Sequence, residues 1–359
     1  MDVVIVLIKI FLMIGFLMTL GVLLTWVERK QSALIQDRIG ANRADIFGFR
    51  ILGLFHPLAD AIKLLTKEDF IPPSGNRLLH TLAPFIAFTT AFIGFAVIPF
   101  GPPVHILGRE ISLQVADLNI GILFVFVAAG LSIYAIIFAG LSSDNKYGML
   151  GAIRGAAQTI SYEVSMGLAV IALLMVFGSL KLSEMALAQG GEIFGILPRW
   201  GVFLQPLGFL IFFTAAVAET KRIPFDLPEG ESEIVGFFVE YSGMKFGLFW
   251  LGEFVEIVVM SALMATLYFG GWQVPFLTPQ GFAFPGGFEI ALSSGLVLFL
   301  QVSAFVIKVV FFCWLQMLIR WTLPRFRFDQ LMRLGWKGLL PLALLNILVT
   351  GIVILALQG

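Results

Sequence analysis

Residues 218–241, AETKRIPFDLPEGESEIVGFFVEY, place Glu219, Asp226, Glu229, Glu231, Glu233 and Glu240 in one short stretch of a chain whose charged fraction is only 13%. Carboxyl groups crowded together titrate as a coupled set, because each negative charge makes the next ionisation harder. Some members of such a set hold protons near neutrality, so the chemistry on offer is proton uptake and release. A structural reading stands beside it: Glu231 and Glu233 fall where the first turn of a short helix gains roughly 0.3–1 kcal/mol from each acid. That reading leaves Glu219 and Glu240 unexplained, and Lys221 and Arg222 are too few to neutralise the group.

Further ionisable residues interrupt apolar runs: Glu163 in QTISYEVSMGLAV, Glu253 and Glu256 in FWLGEFVEIVV, and Lys308 in AFVIKVVFF. A charge at membrane depth costs a few kcal/mol, so it faces the protein interior, pairs or titrates. The spacing of Glu253 and Glu256 puts both on nearly one helix face, where mutual repulsion favours keeping a proton. Two readings stay open: buried ion pairs with cations such as Lys308, or a proton path.

The acids need elements to hold them. Pro224 and Pro228 forbid continuous helix, and helical spacing resumes only at Ile234, Val235, Phe237 and Phe238, so the acidic segment is a broken element. Broken backbone at membrane depth is tolerated where it is buried in protein or lines a watery cavity. The surroundings are plainly membrane-like: 59% of residues are hydrophobic and 37 are Phe. The chain reads as an all-α polytopic membrane protein, a single integral membrane domain over 1–359. About eight helical spans are expected, near 3–26, 81–100, 118–140, 157–178, 201–219, 246–270, 294–318 and 339–357. The first ends in WVERKQ and not in a small-residue cleavage site, so it reads as a retained span.

Between the first two spans, Leu58, Ala61, Ile62 and Leu65 recur at helical spacing after Pro57, with Asp60, Lys63 and Lys67 between them. This is an amphipathic helix expected at the membrane interface. Loops 27–80, 141–156, 220–245 and 319–338 hold 18 of the 23 Lys and Arg, which puts those loops inside and both termini outside. In the first loop Glu28-Arg29-Lys30, Asp37-Arg38 and Arg43 alternate in sign, a pattern suited to a polar protein partner. Net charge near zero argues against nucleic acid. The lone Cys313 and the loop or span-edge histidines His56, His80 and His105 make no cluster for haem, zinc or iron–sulfur. No metal site or redox cofactor is expected in this chain.

Three stretches, AETKRIPFDLPEGESE, ERKQSALIQDRIGAN and QTISYEVS, together resemble the H-type membrane subunit 1 family of proton-pumping NADH:quinone oxidoreductase, respiratory complex I. The similarity covers essentially the whole chain. It implies a subunit joining a hydrophilic arm to a membrane arm. Quinone would be the substrate, with NADH, FMN and iron–sulfur clusters in partner subunits. Soluble quinone-site and iron–sulfur subunits, and small membrane subunits leading to antiporter-like ones, are the implied partners, beside membrane lipid. By motif, Arg29, Arg38, Asp60 and Arg222 would line the quinone chamber or its entrance. Glu28, Glu163, Glu219, Glu229, Glu231, Glu233 and Glu253 would carry the proton relay, to which the residue pattern adds Glu240 and Glu256. No catalytic acid is assigned to this chain. The expected location is a bacterial inner membrane, alternatively a mitochondrial inner membrane, with the long loops on the cytoplasmic or matrix side.

Two rivals remain at this stage. One is the membrane subunit of an energy-converting hydrogenase. The other is a stand-alone proton- or cation-coupled transporter, a class whose folds often carry inverted repeats with matching broken segments. No counterpart of PFDLPEGESE occurs in the first half.

Overall fold

A computed structural model describes residues 2–106, 108–193, 195, 197–285 and 288–358. The first helix, α1 (Asp2–Ile35), meets no glycine or proline after Gly21 and therefore runs on past the expected end of the first span. Glu28, Arg29 and Lys30 thus stand on a helix and not in a loop. The interfacial helix is α2 (His56–Thr66), with Pro57 in its first turn. It leans on its neighbours through Pro57 and Leu64, leaving Leu58, Ile62 and Leu65 exposed.

Next come α3 (Arg77–Phe95), capped by Asn76, α4 (Gly121–Ser142) and α5 (Lys146–Phe177), capped by Asn145 and closed by Gly178 at φ 73°. Then follow the short α6 (Leu182–Ala188) and α7 (Gly201–Leu204), and α8 (Pro206–Glu219). A four-residue turn, α9 (Glu231–Ile234), precedes α10 (Gly243–Tyr268) and α11 (Ser294–Thr322). Last come α12 (Phe328–Arg333), a π-turn over Leu334–Leu339 and α13 (Leu340–Gln358). Pro341 has no N–H to give the helical ladder, and the wider turn just before it absorbs the loss.

Among the described residues seven helical stretches are long and apolar enough to cross a membrane: Val3–Ile35, Arg77–Phe95, Gly121–Ser142, Lys146–Phe177, Gly243–Tyr268, Ser294–Thr322 and Phe328–Leu357. An eighth apolar helix, Pro206–Glu219, has 14 residues. At 1.5 Å per residue it rises about 21 Å, short of the ~30 Å of a hydrocarbon core. The expected span 201–219 is broken at Gln205, whose φ of −136° ends α7 before Pro206 starts a new helix. The chain is an all-α multi-pass membrane protein, with seven such helices and this shorter one among the described residues.

Small antiparallel ribbons decorate the connections: β1 (Val104–Ile106) with β2 (Arg109–Ile111), and β3 (Glu192–Ile193) with β4 (Leu197–Pro198). A third ribbon joins β5 (Leu277–Thr278), β6 (Gly281–Phe284) and β7 (Phe288–Ala291), pairing Phe282 with Ile290 and Phe284 with Phe288. The sequence pattern alone offers no reading of this third region. Gly281 is required there, since at φ 136° a Cβ would lie 2.0 Å from the Ile290 carbonyl oxygen.

At the centre stands α10, in which every side chain from Phe254 to Tyr268 is buried. It packs against α1, α3 and α11, while α5 packs between α4 and α8. The connections after α1, α4, α8 and α11 meet at one end. Asn145 bonds Glu240 at 2.9 Å, Lys245 pairs with Asp69 at 2.9 Å, and the Phe326 amide donates to the Pro224 carbonyl at 3.1 Å.

Candidate functional site

The acidic segment sits where those connections converge. At the end of α8, Gln158 of α5 donates its side-chain amide to the carbonyls of Ala218 (2.7 Å) and Phe225 (2.6 Å). One buried amide thus holds both the helix end and the turn that follows. Lys221 turns the chain at φ 55°, and the segment then lies along α5, whose Gly151 and Gly155 leave room for it. A Cβ at Gly155 would come within 2.9 Å of the Pro228 ring, and one at Gly151 within 3.1 Å of the Pro228 carbonyl oxygen. Beyond α9 the Phe237 amide returns to Pro228 O at 3.1 Å. Tyr241 closes the segment, its ring stacked on His80 at 4.0 Å and its hydroxyl 3.1 Å from Ser142 Oγ.

Most of the acids have found partners from far along the chain. Arg222, 6% exposed, donates Nη1 to Glu28 Oε2 (3.1 Å) and Nη2 to Glu253 Oε2 (3.3 Å), with its plane over the Phe254 ring. Arg320 of α11 adds a 2.6 Å contact to the other Glu28 oxygen. Lys221 Nζ donates to both oxygens of Glu256, at 3.1 and 3.4 Å. Asp226 pairs with Arg325, Glu233 with Arg154, and Glu240 accepts from Asn145. Burial of this order is costly for a charge unless it is paired and hydrogen-bonded, which is what these contacts supply.

Two acids stand apart. The Glu229 carboxyl stands beside that of Glu253. Burial, with the Glu253 charge beside it, pushes the Glu229 carboxyl well above the usual carboxylate range. Glu219 is fully buried and neither of its oxygens has a hydrogen-bond partner among the described residues, with Lys221, Glu256 and Glu163 within electrostatic reach. Asp226 is intermediate: burial pushes it up to about 6 even against the pull of Arg325.

Between α3, α4 and α10 a narrow cavity of about 40 Å³ opens beside these groups, lined by Thr90, Ser132, Lys221, Glu253 and Glu256 among apolar side chains. At roughly 10–15 Å³ per water it has room for a few water molecules. Glu163 on α5 is half-buried, its carboxyl against Gly130 of α4. Crowded buried carboxyls beside a cavity able to admit water are groups that can hold and release protons. Among the described residues no group of three or more His, Cys, Asp or Glu is placed to hold a metal ion.

The sequence matches the family described as NADH dehydrogenase over residues 8–351. A Geobacter sulfurreducens protein, named as an H-type subunit of NADH-quinone oxidoreductase, is 48% identical over 348 residues, covering 97% of this chain and 95% of that one. A protein of the same type from Geobacter metallireducens is 47% identical over 98% of this chain and 97% of its own length. A Cytophaga hutchinsonii relative, also named as that type of subunit, is 45% identical over 92% and 91%. The chain belongs to the NADH dehydrogenase family.

In this member of the NADH dehydrogenase family, Glu28, Glu219, Glu229, Glu253 and Glu256 are brought together around Lys221 and Arg222, with Glu163 beside Glu219. Glu233 and Glu240 lie on the outer side of the segment, tied to α5 and to the α4–α5 connection. The side chain of Glu231 lies outside the described residues. Arg29 and Asp60 meet as an ion pair joining α1 to α2. Arg38 keeps to local contacts with Gln36 (2.7 Å) and Ser32 (3.4 Å).

The expectation that Lys221 and Arg222 are too few to neutralise the acids changes in one respect: Arg154 and Arg325 arrive from other elements to pair with Glu233 and Asp226. Lys308 is no partner of the intramembrane acids. It donates to the carbonyls of Phe269, Gly271 and Gln273 at 2.7–2.9 Å, because three oxygens left over past the end of α10 converge on it. Gln158 was missed by sequence reasoning. Its signal, one uncharged amide in an apolar helix, is weak without knowledge of what it faces.

Proposed function

We propose that the chain is the H-type membrane subunit of a proton-translocating NADH:quinone oxidoreductase. In this reading it forms the membrane side of the quinone-access chamber and the start of the proton relay. The observation that carries it is Arg222, whose guanidinium ties Glu28 of α1 to Glu253 of α10 in one buried network with the acidic segment. Relatives named for that enzyme supply the reaction. Arg29, Arg38, Asp60 and Arg222 flank the chamber, Arg29 and Asp60 as the ion pair between α1 and α2. Glu28, Glu163, Glu219, Glu229, Glu231, Glu233, Glu240, Glu253 and Glu256 carry or gate the protons. The loops meeting at the acidic end face a soluble partner holding the quinone headgroup and iron–sulfur clusters, in the bacterial cytoplasm. Small membrane subunits continue the relay.

The physics is electrostatic coupling. Reducing a quinone brings two electrons and draws two protons to the chamber, beside a crowded set of buried carboxyls. A change of charge there shifts the whole coupled set, since each carboxyl's proton affinity depends on its neighbours' charge. Glu229 responds to such a change, because Glu253 lies beside it and Arg222 contacts Glu253 directly. No electron passes through the chain. The test uses assembled complexes carrying Glu163→Gln or Glu231→Gln. Quinone-driven proton translocation is expected to fall roughly a hundredfold, the low end of what a positioned proton-transfer group contributes, while NADH:ferricyanide activity stays level. Normal quinone reduction and pumping in both variants would remove the relay assignment.

A further inference from the structure

Lys221 and Glu256 carry an inference that rests on the relay reading and deepens it. Lys221 is 5% exposed and stands in the turn directly after α8, at φ 55°. Its Nζ is bound to the Glu256 carboxylate, and both side chains line the cavity between α3, α4 and α10. Two residues earlier, Glu219 has 0% exposure and no side-chain hydrogen bond among the described residues. Among the described residues, the charged groups facing this spot are Glu163 from α5, Glu219 from α8, Glu253 and Glu256 from α10, and Arg222 in the same turn. Arg222 is committed to Glu28 and Glu253, which leaves one ammonium for two carboxyls, Glu219 and Glu256. An uncompensated buried carboxylate is unfavourable, so whichever carboxyl lacks the ammonium holds a proton.

We infer that Lys221 is a positioning residue of the relay: its ammonium passes between Glu256 and Glu219, and these two carboxyls hold one proton in alternation. In the arrangement seen, the ammonium is on Glu256 and the proton belongs to Glu219. On transfer, the O–H bond at Glu219 breaks and one forms at a Glu256 oxygen, while the ammonium crosses to the Glu219 carboxylate. One ammonium, one carboxylate and one carboxyl are present before and after. The buried net charge never changes, and this makes the step cheap in a medium that resists charge.

The test reads the pH profile of quinone-driven proton translocation by the assembled complex in liposomes. Glu256→Gln leaves Lys221 permanently available to Glu219, whose loading then needs a higher proton concentration. The profile is expected to move toward acid by about one pH unit, at the low end of what a close cation does to a carboxyl. A fixed structural ion pair predicts reduced activity at every pH with no displacement, and that result would overturn the inference. Should the single variant fail to assemble, Lys221→Met/Glu256→Gln removes both charges together. It is expected to assemble, to keep NADH:ferricyanide activity and to translocate about tenfold more slowly, and normal translocation would again overturn the inference. Glu219→Gln separates the two levels. Normal pumping there defeats the relay itself, whereas lost pumping with an unmoved Glu256→Gln profile defeats only the Lys221 exchange.

Discussion

Asp226 shows how burial and pairing compete at a single residue. Its carboxyl meets Arg325, yet Oδ1 has no hydrogen bond among the described residues and burial pushes the group to about 6, above the ordinary 3.8. For an acid whose folded value is raised, the folded state holds more protons than the unfolded one between those two values, so stability falls as pH climbs through that window. The cost is complete above about 6 and amounts to something on the order of 3 kcal/mol. Asp226→Asn removes the titration and keeps the shape. Thermal unfolding in detergent from pH 7 to pH 4 should therefore show the unsubstituted protein gaining stability relative to Asp226→Asn. Parallel curves would mean that Asp226 does not titrate in the fold. The acid itself was legible in the sequence, as were the other five of the segment. Their partners were not, because Arg154, Asn145 and Arg325 lie 79 to 99 residues away. Nothing in local spacing links residues at such separations.

At the scale of elements, α5 is the wall against which the acidic segment is built. Gly148, Gly151 and Gly155 form a small-residue stripe, and on it lie Phe237, Pro228 and the chain between them. The two prolines broke the helix as expected, but where the broken chain would lie depended on that stripe, whose partner no sequence period identifies. The same holds for the short α8. Its apolar run was legible, whereas the break at Gln205 comes from backbone geometry that precedes Pro206 by one residue. Gly155→Ala tests the wall. Its Cβ would meet the Pro228 ring at 2.9–3.0 Å, so the ring and Glu229 beside it must move. Overpacking of this kind costs about 1–3 kcal/mol. We expect a lower unfolding temperature and weaker quinone reductase activity, with NADH:ferricyanide activity unchanged. An unaltered quinone rate would show that Glu229 tolerates displacement. Gly167, with nothing within 4 Å of its would-be Cβ, is the control on the same helix.

For the whole molecule, the spans were legible because a membrane demands some twenty apolar residues at a time, a signal that needs no tertiary information. The β-ribbons were not, being short and irregular in sequence. What joins the two levels is charge. The loops expected inside on their Lys and Arg content are those that meet at one end, where Arg154, Arg222, Arg320 and Arg325 neutralise the acids. Cations there have two physical roles, topology during insertion and pairing afterwards, and the second explains why so few are spare. If the first holds, that end faces the cytoplasm and the β5–β7 ribbon faces the opposite side. Asp45 and Glu289 are both exposed, one in the connection after α1 and the other on β7. With Cys313 replaced by Ser, Asp45→Cys and Glu289→Cys each present one thiol to a membrane-impermeant maleimide. In inverted vesicles Asp45→Cys should react and Glu289→Cys should not, and in right-side-out vesicles the order should reverse. The opposite pattern would turn the molecule over and move the acidic end away from a cytoplasmic partner. Equal labelling from one side would break the alternation of spans, leaving the short α8 as the helix that fails to cross.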